Sequence, residues 1–122
     1  MKIISPGMAG RKASAEPTSA HFIEPMLCLA VSELPNGSQW EYELKLDGYR
    51  AIGLKTRGRA LLLSRNRKDF TRRFQPLARA LEALPDETVI DGEVVALDET
   101  GRPSFNLLQN YASTEYTLVL YA

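Results

Sequence analysis

An α+β fold, mainly an antiparallel sheet flanked by helices, is predicted by three features of this sequence. Short segments that alternate large and polar residues recur along the chain. Turn residues such as Asp47-Gly48 and Arg57-Gly58 separate them closely enough for neighbouring strands to pair head to tail. One stretch in the middle, after Thr71, changes to a helical period.

Taken in order, residues 1–20 are rich in Ser, Ala, Gly and Pro without an apolar period, which predicts a flexible tail or linker before a folded unit over 21–122. Folding is expected to begin near Phe22, with a turn at Leu34-Pro35-Asn36-Gly37-Ser38. Trp40 to Leu46 reads as a strand that turns at Asp47-Gly48 into a second strand, Tyr49 to Thr56. Arg57-Gly58-Arg59 then turns the chain into a third strand, Ala60 to Ser64, so that two hairpins in series are expected. Phe74, Leu77, Ala78, Leu81 and Leu84 share one face of a helix that Pro85 stops, with Pro76 in its first turn, where the missing amide matters little. Thr88 to Leu97 is a further strand, and Asp98-Glu99-Thr100-Gly101 a turn. Ser104 can cap a short helix through Tyr111, and Tyr116 to Tyr121 forms a last strand at the end of the chain. An uncovered edge there would favour a homo-oligomer, by dimerisation or strand swapping through residues 116–121.

With 122 residues, 44% apolar and 25% charged, the chain is one domain or less of ordinary globular composition. It lacks the run of about 20 apolar residues that a membrane helix needs, and its N-terminus lacks a signal-peptide core, so a cytoplasmic address and no membrane role are expected. Cys28 lies in the apolar run Met26 to Ala30 and reads as a small buried hydrophobe, and the single His21 has no partner at ligand spacing. Net charge is zero, but it is segregated. Residues 50–79 carry ten basic side chains against Asp69 alone, while residues 80–122 carry eight acids against Arg102. A concentrated basic block suits a polyphosphate or nucleic-acid partner, because Lys and Arg replace counterions condensed on phosphates; it is equally what a solvated basic face beside acidic neighbours would look like.

The segment with the most chemistry is Glu43-Leu44-Lys45-Leu46-Asp47-Gly48-Tyr49-Arg50, which contains the pattern Lys-x-Asp-Gly-x-Arg. A lysine beside a tight turn presents its amine at a cleft mouth. To act as a nucleophile it must lose a proton, which burial, a nearby arginine or a metal-bound phosphate can promote. An arginine five residues on offers a fork of donors for phosphate or ribose oxygens.

This segment resembles the first motif of the covalent nucleotidyltransferases, the family of ATP-dependent DNA ligases, RNA ligases and mRNA capping enzymes. Leu63-Ser64-Arg65-Asn66-Arg67 resembles the second conserved element, and Val89-Ile90-Asp91-Gly92-Glu93-Val94-Val95 the third, in the order the family requires. Phe22 to Leu27 before them, with Ala96-Leu97-Asp98 and Pro103-Ser104-Phe105 after, look most like the ligase domain of bacterial ligase D, so the resemblance covers roughly residues 22–122.

The resemblance implies that Lys45 attacks the α-phosphate of ATP and holds AMP as a phosphoramidate. Glu43 would meet the adenine amino group, which favours adenine over guanine and a ligase over a capping enzyme. Asp47 would lie near the lysine and the ribose, Arg50 and Arg65 would bind ribose or phosphate, and Glu93 would help hold a catalytic Mg²⁺ or Mn²⁺ ion. The implied substrate is nicked or broken double-stranded DNA in repair and end joining, with Ku as the implied partner at the bacterial nucleoid. Arg67, Lys68, Arg72 and Arg73 are assigned to the DNA backbone from charge clustering. The resemblance stops before the family's stacking aromatic, its second glutamate motif, its Lys-x-Lys motif and its OB-fold, so the chain alone is expected to adenylate itself poorly or not at all. Two alternatives stay open: a non-catalytic nucleotide- or DNA-binding module of the same fold, and an RNA ligase or capping-type enzyme.

Overall fold

The computed structural model describes residues 2–4, 19–112 and 116–122. Of the expected tail, only Lys2–Ile4 and residues 19–20 are among them; the remainder lies outside the described residues. The elements are β1 (Lys2–Ile4), β2 (Glu41–Glu43), β3 (Tyr49–Thr56), β4 (Arg59–Ser64), α1 (Gln75–Glu82), β5 (Thr88–Leu97), α2 (Phe105–Gln109) and β6 (Thr117–Tyr121). A four-stranded sheet in the order β4-β3-β5-β6 is antiparallel throughout, and β1 and β2 form a separate antiparallel pair.

The tightest turn follows from two residues. Arg57 and Gly58 both take positive φ, 49° and 72°, as a two-residue hairpin of the right twist requires, and Thr56 is left facing Arg59 across the end of the ladder. Gly58 N–H is then bound by both carboxylate oxygens of Asp86 at 3.0 Å, tying the hairpin tip to the turn that follows α1. Helix α1 starts one residue before Pro76 and gives way at Ala83, two residues ahead of Pro85. Helix α2 is capped by Ser104, whose Oγ accepts from Leu107 N–H at 3.5 Å, and ends at Asn110.

The first of the two expected hairpins does not form. Both edges of β3 are occupied, by β4 over Ala51–Thr56 and by β5 over Tyr49–Lys55, so no edge is left to receive residues 40–46. Only Glu41–Glu43 is strand, and it pairs with Lys2–Ile4. Asp47-Gly48 therefore leads into β3 without reversing the chain onto it. Cys28 also departs from expectation: it is exposed, as are Met26, Leu27 and Leu29 around it. The run Met26 to Ala30 lies outside the regular elements, so its apolar side chains have no sheet to face.

Directly opposed residues of an antiparallel ladder share a face, so the registers sort the sheet into two sides. One side carries Ala51, Leu62, Val94 and Ala96, which pack with Phe74, Leu77 and Leu81 from α1 and its cap and with Leu108 from α2. Gly53 lies so close to α1 that an added Cβ would stand 2.8 Å from a Leu81 methyl. The other side holds Ile52, Leu54 and Val95, all buried, and then changes character at one end of the strands, where Arg50, Asp91 and Glu93 emerge. Phe74 is fully buried and its ring meets those of Tyr49, Phe70 and Tyr111. Phe74→Ala is therefore expected to lower unfolding free energy by about 3–5 kcal/mol, read from the midpoint of a urea titration at constant slope.

Candidate active site

The three chemistry-bearing segments are far apart in sequence and meet because of strand register. Arg50 pairs with Glu93 across β3–β5, and Glu93 pairs with Tyr121 across β5–β6. On the other side Arg65 N–H donates to the carbonyl of Arg50 at 3.2 Å, one residue beyond the end of β4. Arg65, Arg50, Glu93 and Tyr121 thus form one row across the sheet. A cleft of about 1020 Å³ opens along this row, and Glu43, Lys45, Arg50, Arg65, Lys68, Asp91 and Glu93 are its charged lining residues.

Gly48 brings the lysine segment to the row. An added Cβ there would stand 2.2 Å from the Val94 carbonyl oxygen and 2.9 Å from a Val95 methyl. The backbone just after Lys45 therefore lies directly on β5, next to Glu93. Gly92 makes the matching approach on the far side, where a Cβ would stand 2.4 Å from the Tyr121 carbonyl oxygen. Both glycines are required by close backbone contact.

Arg50 is held by a two-pronged bond: Nε and Nη2 donate to the two carboxylate oxygens of Asp91 at 2.5 Å each. Asp91, opposite Ile52 in the ladder, is the diagonal cross-strand neighbour of Arg50 on this face. The Asp91 bond pushes the guanidinium pKa up from its already high ordinary value; partial burial opposes it, and the charges of Asp91 and Glu93 add to it. Arg50 is therefore a permanently charged, oriented group on the cleft wall. Sequence reasoning gave Asp91 no role of its own. The signal was present as two acids at i and i+2 on one strand, which must project from the same face.

The turn after β4 is built around Ser64, which is buried. Its Oγ accepts from the amides of Asn66 at 3.3 Å and Lys68 at 3.0 Å, and its own N–H donates to the Lys68 carbonyl at 2.8 Å. Arg67 takes φ 62° to close this loop. The result directs Arg65 and Lys68 to the cleft.

The residues singled out from the sequence are thus divided. Lys45, Glu43, Arg50, Arg65 and Glu93 line one cleft, with Lys45 and Glu43 exposed. Asp47 is exposed and outside the cleft lining. Of the four basic residues grouped by charge, only Lys68 lines the cleft. The Arg67 guanidinium stacks 4.8 Å from the Phe22 ring centre. Arg72 borders a shallow hollow beside Gln75, Arg79 and Glu82 on α1. Arg73 is engaged within the fold: its guanidinium lies 5.3 Å over Tyr49 and 5.2 Å over Phe74, and donates to the carbonyls of Leu108 and Gln109 at the end of α2. Among the described residues no group of three His, Cys, Asp or Glu side chains could alone enclose a metal ion. Asp91 is engaged by Arg50, and Glu93 lines the cleft beside it.

Residues 25–117 match the family model of the ATP-dependent DNA ligase domain. The chain belongs to this family. It is 42% identical over 106 residues to the multifunctional non-homologous end joining protein LigD of Pseudomonas aeruginosa, covering 86% of this chain and 12% of that protein. It is 43% identical over 74 residues to the LigD DNA repair protein of Mycobacterium tuberculosis, covering 60% of this chain and 10% of that one. Among solved structures it is similar to a mycobacterial DNA ligase D complexed with ATP and MES, with a TM-score of 0.56, 35% identity, and coverage of 64% of this chain and 26% of that one. The ligase domain of M. tuberculosis LigD gives a TM-score of 0.55 and 36% identity, covering 65% of this chain and 27% of that one. The chain thus spans about a tenth of these curated relatives and about a quarter of the solved chains. Among its described residues no helix is long and apolar enough to cross a membrane.

The ligase-domain cleft depends on Gly48, because the atom an alanine would meet is backbone and cannot swing away. Gly48→Ala is expected to lower stability by about 1–3 kcal/mol in chemical denaturation, and amide exchange should rise around Gly48 and Val94.

Proposed function

We propose that this chain is the nucleotide-attaching part of an ATP-dependent DNA ligase acting in strand-break repair and end joining. The observation that carries the proposal is the single row of Arg65, Arg50 and Glu93 set beside Lys45 in one cleft. A related ligase domain complexed with ATP supports the choice of nucleotide.

The cleft is divided in the way a nucleotide is. Met26, Leu27, Leu44 and Tyr121 give it an exposed apolar lip suited to a base, whereas Lys45, Arg50, Arg65 and Lys68 supply cations for phosphates. Glu43, two residues before the lysine, accepts from the adenine amino group. Lys45 Nζ attacks the α-phosphate as the free amine; a phosphorus–nitrogen bond forms, the bond to the bridging oxygen breaks, pyrophosphate departs with its electron pair, and the proton released from the nitrogen passes to solvent. Arg50 and Arg65 hold ribose or phosphate oxygens in line, the positioning that dominates phosphoryl-transfer catalysis. Asp47 acts near the lysine and ribose. Glu93 would help hold Mg²⁺ or Mn²⁺, which would neutralise charge on phosphate oxygens. AMP then passes to the 5′-phosphate of a nick in double-stranded DNA and is released when a 3′-hydroxyl attacks. Arg67 and Arg72 extend the basic surface to the DNA backbone, and the working setting is the bacterial nucleoid with Ku as partner.

The chain alone is expected to bind ATP about tenfold more tightly than GTP, with the preference lost in Glu43→Gln, because a carboxylate acceptor rewards an amino group and repels a carbonyl oxygen. Intact-mass spectrometry after incubation with ATP and Mg²⁺ should show at most a slow AMP adduct, confined to Lys45 and absent in Lys45→Ala. Equal affinity for ATP and GTP, or an adduct that survives Lys45→Ala, rejects the proposal.

Among the described residues strand β6 pairs only with β5, and we propose that its other edge pairs with a second copy of the chain. Size-exclusion chromatography at rising concentration is expected to move from monomer to dimer. A single monomer peak at every concentration rejects pairing through residues 116–121.

A further inference from the structure

Charge clustering groups Lys68 with Arg67, Arg72 and Arg73, yet the structure separates it from them. Lys68 alone of the four lines the cleft that contains Lys45. Its place there is fixed by backbone: its amide donates to the buried Ser64 Oγ at 3.0 Å and its carbonyl accepts from Ser64 N–H at 2.8 Å. Ser64 also precedes Arg65, whose amide is bonded to Arg50, so the ladder that carries Arg50 also carries Lys68.

The charge balance of the cleft shows what Lys68 adds. Lys45, Arg50, Arg65 and Lys68 stand against Glu43, Asp91 and Glu93. Removing Lys68 leaves the lining side chains neutral in sum. Arg50 is already paired with Asp91, and among the described residues no carboxylate lies within ion-pair distance of Lys68. An ammonium without a carboxylate partner among the described residues, in a concave site with three further cationic side chains, attracts the most highly charged part of an anionic ligand.

Resting on the nucleotide reading above, we propose that Lys68 is a binding residue for the polyphosphate of ATP and not a contact to the DNA backbone. The shared chemistry is a phosphate group, and nucleotide and DNA are separated by the ligand used. A contact of this kind acts on ATP, which carries three phosphates, far more than on AMP, which carries one.

The test measures binding of ATP, AMP and a 5′-phosphorylated nicked duplex to the wild-type chain, Lys68→Ala and Lys68→Arg. Lys68→Ala is expected to weaken ATP about tenfold and AMP less than about threefold, Lys68→Arg to stay within about threefold of wild type, and duplex binding to be unchanged by either. Unchanged ATP affinity in Lys68→Ala, an equal loss for ATP and AMP, or a loss confined to the duplex overturns the assignment while leaving the nucleotide reading intact. Failure of the wild-type chain to bind ATP at all overturns both. Because Ser64 is bonded to the backbone of residue 68, both variants keep the turn, and a change in binding reports the ammonium itself.

Discussion

The site depends on β3 being paired on both edges. That double ladder fixes Ala51 opposite both Ser64 and Gly92, and from it Arg50 falls opposite Glu93 while Arg65 reaches the Arg50 carbonyl. A one-residue slip on either side would turn every side chain of the moved strand to the other face. Arg50 would lose Asp91, and the buried Ala51 and Val94 would turn away from the helices. The apolar core on one face therefore enforces the arrangement of charges on the other. Packing energy of the Phe74 cluster and alignment of the cleft are two consequences of the same register.

The segregation of charge along the sequence is partly resolved by folding. The acidic last third returns as β5 beside the basic β3, and its acids meet particular cations: Asp91 binds Arg50, and Asp86 lies 4.0 Å from Lys55 while binding the amide of Gly58. Other acids serve turns. Asp98 accepts from the amides of Thr100 and Arg102, and Asp69 from the amide of Thr71, with the hydroxyl and amide of Thr71 holding the Asp69 carboxyl below its ordinary pKa. A carboxylate depressed in this way stabilises the fold above its unfolded pKa of about 3.9 and ceases to do so as pH falls through the lower folded value. The basic block is thus not a uniform face. Some of its members are engaged inside the fold, and the remainder are distributed between a cleft and a surface.

Much of this was legible in the sequence. β5 was read with its observed bounds, the cap at Ser104 and the Pro76 and Pro85 limits of α1 followed from local chemistry, and the three motif segments were identified together. The illegible part is non-local. Asp47-Gly48 has the composition of a hairpin turn, and what prevents one is that β4 and β5 already occupy β3, a fact carried by residues 59–64 and 88–94. Cys28 sits in an apolar run, and only the tertiary fold shows that this run is exposed. Arg73 matched its basic neighbours by charge, whereas its position places it over two aromatic rings and the end of a helix. In each case a local rule was followed correctly and then overridden by a partner distant in sequence.

Tyr49 shows how the site and the core are joined. It stands beside Arg50 in the motif segment but faces the helices, where its ring lies 5.8 Å from Phe70, 6.4 Å from Phe74 and 5.4 Å from Phe105. Arg73 covers the same ring and binds the end of α2, so two helices are referred to the first residue of β3. Alternation along a strand sends Tyr49 into this aromatic group and Arg50 into the cleft. The arginine is consequently positioned from both directions, by Asp91 beside it and by the packed ring behind it. Lys45 lies differently: it is exposed in an irregular segment between the end of β2 at Glu43 and the contact of Gly48 with β5. On one wall of the cleft Arg50 is thus fixed by the sheet and the core together, while Lys45 on the other is exposed outside the regular strands.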